Sequence, residues 1–312
     1  MKHNSPIIII AGPTASGKSS FAIHLAKLIN GSIINFDSMQ VYKDLKILTA
    51  RPNKNDLEMV PHKLYGVIPG NIRCTAIYWR NLALKEIDVI QKLGRVPIFV
   101  GGTGLYIKTL IDGISDVPKS MPKYKRKADG LLRDIGTQNF YNVVKKKDPN
   151  IVKNISLNDH QRLVRAYTVW LQTNIPLSEW HKKESFNKKK NNIYVKIRIK
   201  PNRKILRDNI KKRFINMINL GVIEEVKNFR QFNSTLPIMK AHGLREIIAY
   251  IEGKKKLDEV INETTNNINQ YAKRQDTWFK NKYLSDYDIL DANKNIRGNC
   301  TNILSLYREM YT

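Results

Sequence analysis

The chain has 312 residues, 42% of them hydrophobic, which is enough to bury a core and argues against a disordered chain. Lysine and arginine number 54 against 27 aspartate and glutamate, a formal net charge of +27 that attracts polyanions, whether nucleic acid or an anionic membrane surface. The two cysteines, Cys74 and Cys300, form no CxxC pair and no Cys/His cluster, which argues against a disulfide framework and a zinc site, and no apolar run approaches a transmembrane helix. The charge has a second reading in composition. The chain is rich in Ile, Asn and Lys, as an AT-biased genome would make it without selection for binding, so charge alone leaves both readings open.

The β-branched run Ile7 to Ile10 fits a strand buried on both faces of a parallel sheet, and is too short for a signal-peptide core. A glycine loop follows, then a helix over Ser19 to Asn30. Its apolar positions Phe21, Ala22, Leu25, Ala26, Leu28 and Ile29 recur at helical spacing, and Gly31 stops it. Ser32 to Phe36 reads as a second strand ending at Asp37, Trp79 to Leu93 as a helix, and Val96 to Val100 as a third strand ending in Gly101-Gly102-Thr103-Gly104. Alternating strands and helices indicate a mostly parallel α/β sheet with ligands beyond the carboxyl ends of its strands. From Asp116 to Asn192 the chain is polar and basic, with helical stretches near Lys123-Arg133 and Asp159-Leu171; the run Lys188-Lys190 reads as a solvated loop. Ile193 to Lys200 alternates apolar and basic residues, like a strand returning to the sheet. Beyond Asn202 the reading is helical, over Ile205-Leu220, Val222-Phe232, His242-Glu252 and Leu257-Lys280. The expected organisation is a first core part over residues 1–115, a helical insertion over 116–192, and the remainder of the core over 193–312.

Gly12-Pro13-Thr14-Ala15-Ser16-Gly17-Lys18-Ser19 matches GxxxxGK[ST] in full, after a predicted strand and before a predicted helix, which is the context the motif needs. Its backbone N–H groups form an anion nest at a helix N-terminus, Lys18 adds a point charge, and the Ser19 hydroxyl stands where such loops ligate Mg²⁺. The motif specifies two linked phosphates without saying what carries them. Asp37 could hold a metal, act as a general base or N-cap a helix. Thr103, between glycines, could bond a phosphate or cap the next helix. Gln161-Arg162-Leu163-Val164-Arg165 puts two arginines on one helical face, and Lys273-Arg274 lie beside Trp278 and Phe279. Both patterns suit RNA, and both could be solvated helix faces.

Taken together these segments resemble the tRNA dimethylallyltransferase (tRNA isopentenyltransferase) family over nearly the whole chain. The resemblance rests on Gly12-Ser19; Asp37-Ser38 with Gln40 and Tyr42; Thr49-Ala50-Arg51-Pro52; Pro61-His62; Gly101-Gly102-Thr103 with Leu105-Tyr106; Asp159 with Gln161-Arg162 and Arg165-Ala166; and Ala272-Lys273-Arg274-Gln275 with Trp278. It implies a P-loop NTPase-like parallel sheet flanked by helices, with a mostly helical insertion domain. It also implies transfer of a dimethylallyl group from its diphosphate to N6 of the adenosine 3′ of the anticodon, in tRNAs reading codons that begin with U. The loop Gly12-Ser19 and Arg213 would then hold a departing diphosphate with Mg²⁺, Asp37 would take the amine proton, and Thr103 would contact the bridging oxygen. Asp37, Ser38, Met39, Gln40, Thr103, Lys125, Gln161, Arg162, Leu163, Val164 and Arg165 match positions that contact the anticodon stem-loop. The expected protein is cytoplasmic, monomeric and not membrane-bound.

Three positions depart from the family pattern: Leu48 where glycine is usual, Lys125 in place of an arginine, and Asn209 one helical turn before Arg213 in place of a second arginine. Rival readings are an adenylate isopentenyltransferase acting on free nucleotides, a P-loop nucleotide kinase, and a non-catalytic RNA-binding P-loop protein.

Overall fold

The computed structural model of the chain describes residues 6–182, 192–229 and 235–311. The chain divides into two compact units, one made of residues 1–110 and 191–312 and the other of residues 111–190.

The first unit is built on six parallel strands: β1 (Ile7–Ala11), β2 (Gly31–Asn35), β3 (His62–Lys63), β4 (Val96–Gly101), β5 (Tyr194–Ile199) and β6 (Tyr287–Ile289), in the order β3-β2-β4-β1-β5-β6. Strand β1 is central, with Ile10 level with Val100 on one side and Ile197 on the other. Its four isoleucines are fully buried, as the unbroken apolar run requires, and each contributes about 1.5–3 kcal/mol of burial. Helix α1 (Lys18–Leu28) covers the sheet through Phe21, Ala22 and Leu25. Strand β5 does alternate: Val195, Ile197 and Ile199 are buried, while Lys196 and Arg198 pair with Asp286 and Asp288 around β6. The sequence reading left β6 undetected because three residues carry no period. What holds it is the ladder to β5 and these ion pairs, not an apolar pattern of its own. The two-residue β3 went unseen for the same reason.

Helices α2 (Lys54–Met59), α3 (Ala76–Lys92) and α4 (Gly104–Ile111) lie between the strands of the first half. Of them, α3 begins three residues earlier than its apolar pattern suggested, because Thr75 caps it by accepting from the Tyr78 N–H.

The second unit contains α5 (Pro122–Lys147), α6 (Pro149–Val152), α7 (His160–Thr173) and α8 (Leu177–Lys182), so the insertion is helical as expected. Gly136 breaks α5 with a positive φ of 75°. Phe140, Val144, Leu163, Ala166 and Val169 form its core. Asp148, buried, ties the corner together: its carboxylate accepts from the Ile151 N–H at 3.0 Å and the Ser178 N–H at 2.8 Å. The expected loop at Lys188-Lys190 and the end of the helix expected over Val222-Phe232 lie outside the described residues.

The C-terminal part of the first unit supplies α9 (Arg203–Asn219), α10 (Val222–Asn228), α11 (Leu244–Ile251), α12 (Leu257–Lys282) and α13 (Ile296–Tyr311). Leu206 and Ile210 of α9 pack on Ile268 and Ala272 of α12, and Ala15 of the glycine loop leans on this cluster. That packing brings two C-terminal helices to the carboxyl end of β1.

Candidate active site

Three loops leave the carboxyl ends of β1, β2 and β4, as the alternation of elements requires. The first is Gly12-Ser19. A side chain at Gly12 would strike the Ile199 carbonyl oxygen, 2.4 Å from where its Cβ would stand, so only glycine lets the loop pass under β5. Lys18 is buried and donates to the Pro13 carbonyl at 2.5 Å and the Ser16 hydroxyl at 3.3 Å. Burial pulls its pKa down to about 7, Asp37 works against that, and Arg213 adds to it.

The second loop begins at Asn35. Its buried side chain accepts from the Asp37 N–H at 2.8 Å and donates to the Asp37 and Leu64 carbonyls at 3.1 and 3.0 Å, which fixes the backbone of Asp37. The Asp37 carboxylate is divided in use. Oδ1 accepts from the Met39 N–H at 2.8 Å and the Gln40 N–H at 3.3 Å, while Oδ2 has no hydrogen-bond partner among the described residues. No helix begins here, so the expected helix N-cap is instead a turn cap made by Oδ1, which leaves Oδ2 facing the cavities. The Gln40 amide turns inward and braces the next loop through the Thr49 and Ala50 carbonyls, at 2.9 and 2.8 Å.

The third loop carries Thr103. Its N–H reaches the Phe36 carbonyl at 3.3 Å, and its hydroxyl accepts from the Ser38 N–H at 3.0 Å, so the second and third loops are stitched at two points. Gly104 carries the Trp278 indole, whose ring atoms stand 2.4 Å from where a Cβ would be.

The opposite wall comes from α9 and α12. Arg213 donates to the Thr14 hydroxyl at 2.7 Å; burial lowers its pKa and Asp37 resists. Asn209 donates to the Ala15 carbonyl at 3.4 Å, so this departure from the family pattern still touches the glycine loop. Gln275, buried, accepts from the Thr14 N–H and donates to the Gly102 carbonyl, both at 2.9 Å, locking the first loop to the third. For Lys273-Arg274 with Trp278 and Phe279 the sequence left an RNA face and a solvated helix face open; Lys273 and Arg274 are exposed, while Phe279 is core, Trp278 lies on Gly104, and Gln275 is an internal brace. Tyr271, its ring tilted at 43° against His242 with centroids 4.8 Å apart, also joins the wall. Neither Tyr271 nor His242 had a motif to announce it.

Two cavities result. One, of 390 Å³, is lined by the glycine loop with Lys18 and Ser19, and by Gln40, Asn209 and Lys212. The other, of 330 Å³, is lined by Leu48, Phe214, Met217, Ile268, Tyr271 and His242 among others. Thr14, Asp37 and Arg213 belong to both. Leu48, the residue where the family pattern has glycine, is buried; the Glu225 carboxylate accepts from the Ile47 and Leu48 N–H groups at 2.7 and 2.9 Å. Arg51 donates to the Lys43 carbonyl at 2.8 Å, so its charge serves the loop's own shape.

In the helical unit, Gln161 and Arg162 are exposed, and Arg162 pairs with Asp159 at 3.4 Å. Leu163 and Val164 are core residues, which excludes their side chains from any surface contact and corrects the expectation that all five residues face RNA. The corrected pair follows the helix period: positions 163 and 164 face inward with 166 and 169. Arg165 is half-buried and holds the Pro118 carbonyl at 3.0 Å and the Ser120 hydroxyl. Lys125 is exposed and paired with Asp129 at 2.5 Å.

Known proteins resemble this chain in sequence and in fold. A family profile described as IPP transferase matches residues 40–282, and one described as isopentenyl transferase matches residues 5–66. The chain is 40% identical to the tRNA dimethylallyltransferase of Pelagibacter ubique, covering 91% of each chain. It is 39% identical to that of Ehrlichia canis, covering 94% of this chain and 99% of the relative. Among solved structures, the tRNA isopentenylpyrophosphate transferase of Bacillus halodurans matches with a TM-score of 0.69 and 29% identity over 98% of both chains. A eukaryotic dimethylallyltransferase captured acting on tRNA matches with a TM-score of 0.80 and 26% identity, over 97% of this chain and 78% of that one.

Proposed function

The chain belongs to the IPP transferase family, the tRNA dimethylallyltransferases, and from that premise we propose how its site performs the transfer. The donor is dimethylallyl diphosphate, and the acceptor is N6 of the adenosine 3′ of the anticodon in tRNAs reading codons that begin with U. The observation that carries this reading is the shared wall of Asp37, Thr14 and Arg213 between a phosphate-binding loop and a largely apolar cavity. A kinase needs a second polar acceptor site beside its P-loop. A prenyl transfer needs an apolar one, because the group that moves is a hydrocarbon and the base beside it is flat.

In this reading the diphosphate lies in the glycine loop against Lys18 and Arg213. As the carbon–oxygen bond breaks, its electron pair passes to the bridging oxygen. The nitrogen lone pair of the adenine amine forms the new bond to the same carbon, and the amine proton goes to Asp37 Oδ2, the carboxylate oxygen with no other partner. Cationic donors already in place stabilise the departing charge more than the bound substrate, which is what accelerates the step. The adenine stacks within an anticodon loop and must be flipped out to reach Asp37.

Mg²⁺ suits the oxygens on offer. No group of three or more His, Cys, Asp or Glu side chains that could hold a metal occurs among the described residues. The exposed Ser19 hydroxyl lines the loop cavity, and an ion held mainly by phosphate oxygens and water needs little more. When bound, it would offset diphosphate charge. No described helix is long and apolar enough to cross a membrane. On this reading the enzyme works in the cytoplasm as a monomer, with Lys125 and the exposed Gln161-Arg162 face available to the stem-loop.

The test is to offer labelled dimethylallyl diphosphate to tRNA and to AMP, with ATP as a third arm. Label in N6-isopentenyladenosine of tRNA alone is the expected result. Label in AMP, or ATP turnover without prenyl donor, would overturn the proposal.

A further inference from the structure

The donor has a charged head and a hydrocarbon tail, so the wall shared by the two cavities decides which way round it lies. With the diphosphate in the glycine loop, the tail enters the 330 Å³ cavity. How long a tail fits then depends on what closes that cavity. Leu48, Phe214 and His242 line it, and Leu48 is buried. The residue after His242 is Gly243, at a φ of 91°. Leu48 Cδ1 and Phe214 Cε2 each stand 3.2 Å from where a Cβ on Gly243 would lie, and the Thr264 methyl stands 3.1 Å from it. Three apolar tips therefore converge on one glycine, and even a methyl group there would be crowded on three sides.

The loop that carries Leu48 is braced from several sides. The Glu225 carboxylate accepts from the Ile47 and Leu48 N–H groups, and the Gln40 amide donates to the Thr49 and Ala50 carbonyls. The Thr49 hydroxyl donates to the Leu45 carbonyl at 2.7 Å. Leu45 and Ala50, which both bear side chains, are held at positive φ of 56° and 54°, a conformation that persists only where the surrounding contacts over-determine it. Leu48 is therefore a fixed wall and not a flap. We infer that Leu48 is a specificity-determining residue that limits the prenyl donor to a five-carbon tail, an inference that rests on the prenyl-transfer reading above. A ten-carbon tail must push the Leu48 side chain aside, and its loop has nowhere to yield. One methylene too many in an apolar pocket already discriminates by about 10- to 200-fold.

The test offers dimethylallyl and geranyl diphosphates to tRNA and reads the ratio of their kcat/KM values. Wild type is expected to favour the five-carbon donor by about a hundredfold or more. Leu48→Ala is expected to raise geranyl transfer by about tenfold or more, while dimethylallyl transfer falls by about a few-fold as its tail loses a packing partner. Inhibition by inorganic pyrophosphate reads the glycine loop alone and should stay at the wild-type level. Leu48→Val removes one methylene, is gentler on the fold, and should move the ratio the same way by less. A wild type that uses both donors equally well overturns the inference. So does an unmoved ratio in whichever variant keeps wild-type pyrophosphate inhibition. A rise in KM for tRNA with the donor ratio unchanged also overturns it, because Leu48 would then face the base and not the tail. A wild type that prenylates no tRNA with either donor would instead overturn the reading on which the inference rests.

Discussion

The two cavities share Asp37, Thr14 and Arg213 and are otherwise built in opposite ways. The loop cavity has a local side: seven consecutive residues, Thr14 to Ser20, line it, and the sheet fixes where they start. The apolar cavity is assembled from a distance. Leu48, Phe214, Met217, Ile268 and Tyr271 are spread over more than two hundred residues of sequence, and the last four meet because α9 packs on α12. A backbone nest recognises phosphate through N–H groups that every residue has, so its identity sits in spacing. A hydrocarbon pocket is made of side chains whose placement depends on the whole fold.

The sharpest way to break this division is at the wall the cavities share. Asp37→Ala leaves the glycine loop intact and removes the oxygen proposed to take the proton. General-base catalysis contributes about 10²- to 10⁴-fold, so single-turnover prenyl transfer should fall by that order. Binding of tRNA, measured on a filter or by anisotropy, should change by no more than about threefold, because a base acts in the transition state. An equal loss in rate and affinity would make Asp37 a docking residue.

This asymmetry explains what the sequence could and could not disclose. The P-loop, the strands of the sheet core and the helical insertion were legible, because a glycine motif, an isoleucine run and a 3.6-residue period are local signals. The free oxygen of Asp37 was half legible: its place at a strand end was clear, but Asn35, which fixes it, looked like any other strand residue. Gln275 stood within the recognised segment Ala272-Gln275, yet its bonds to Thr14 and Gly102 depend on a helix that follows them by more than 170 residues. Leu163 and Val164 were misread because a motif names consecutive residues while a helix sorts them to opposite faces.

Next in size is a change confined to the loop cavity. Lys18→Ala should weaken pyrophosphate binding by about ten- to a hundredfold, the range for a hydrogen bond to a charged group. The pKa of Lys18 near 7 adds a sign that can be checked. A diphosphate beside the amine favours its charged form and raises its pKa. Binding should therefore take up a proton from the buffer above about pH 7, where the free amine is largely neutral, and less below it. Calorimetry at pH 8 in buffers of different ionisation enthalpy should record this uptake, and Lys18→Met should lose it.

A smaller effect is expected at the brace between the two constructions. Gln275→Ala leaves the Thr14 N–H and the Gly102 carbonyl without their partner in a buried setting. That should cost about 1–3 kcal/mol in urea unfolding. Donor binding should also weaken while tRNA affinity holds. If stability fell without any effect on donor binding, the brace would belong to the fold and not to the loop's shape.

The smallest effect lies outside both cavities and tests whether the basic charge is used. Arg162 is exposed and paired with Asp159, and an exposed pair of this kind contributes about 0–1 kcal/mol to stability. Arg162→Ala should therefore leave unfolding almost untouched. If the arginine meets a phosphate of the stem-loop, its loss should weaken tRNA binding only a few-fold and lower the slope of log affinity against log salt by about one contact. Its neighbour supplies the control. Leu163 points into the core of the same helical unit, so Leu163→Ala should cost about 2–5 kcal/mol of stability and leave the salt slope alone. Adjacent residues would then separate contact from scaffold, whereas an unchanged slope in Arg162→Ala would mean that the charge on this face is compositional and that the tRNA is held elsewhere.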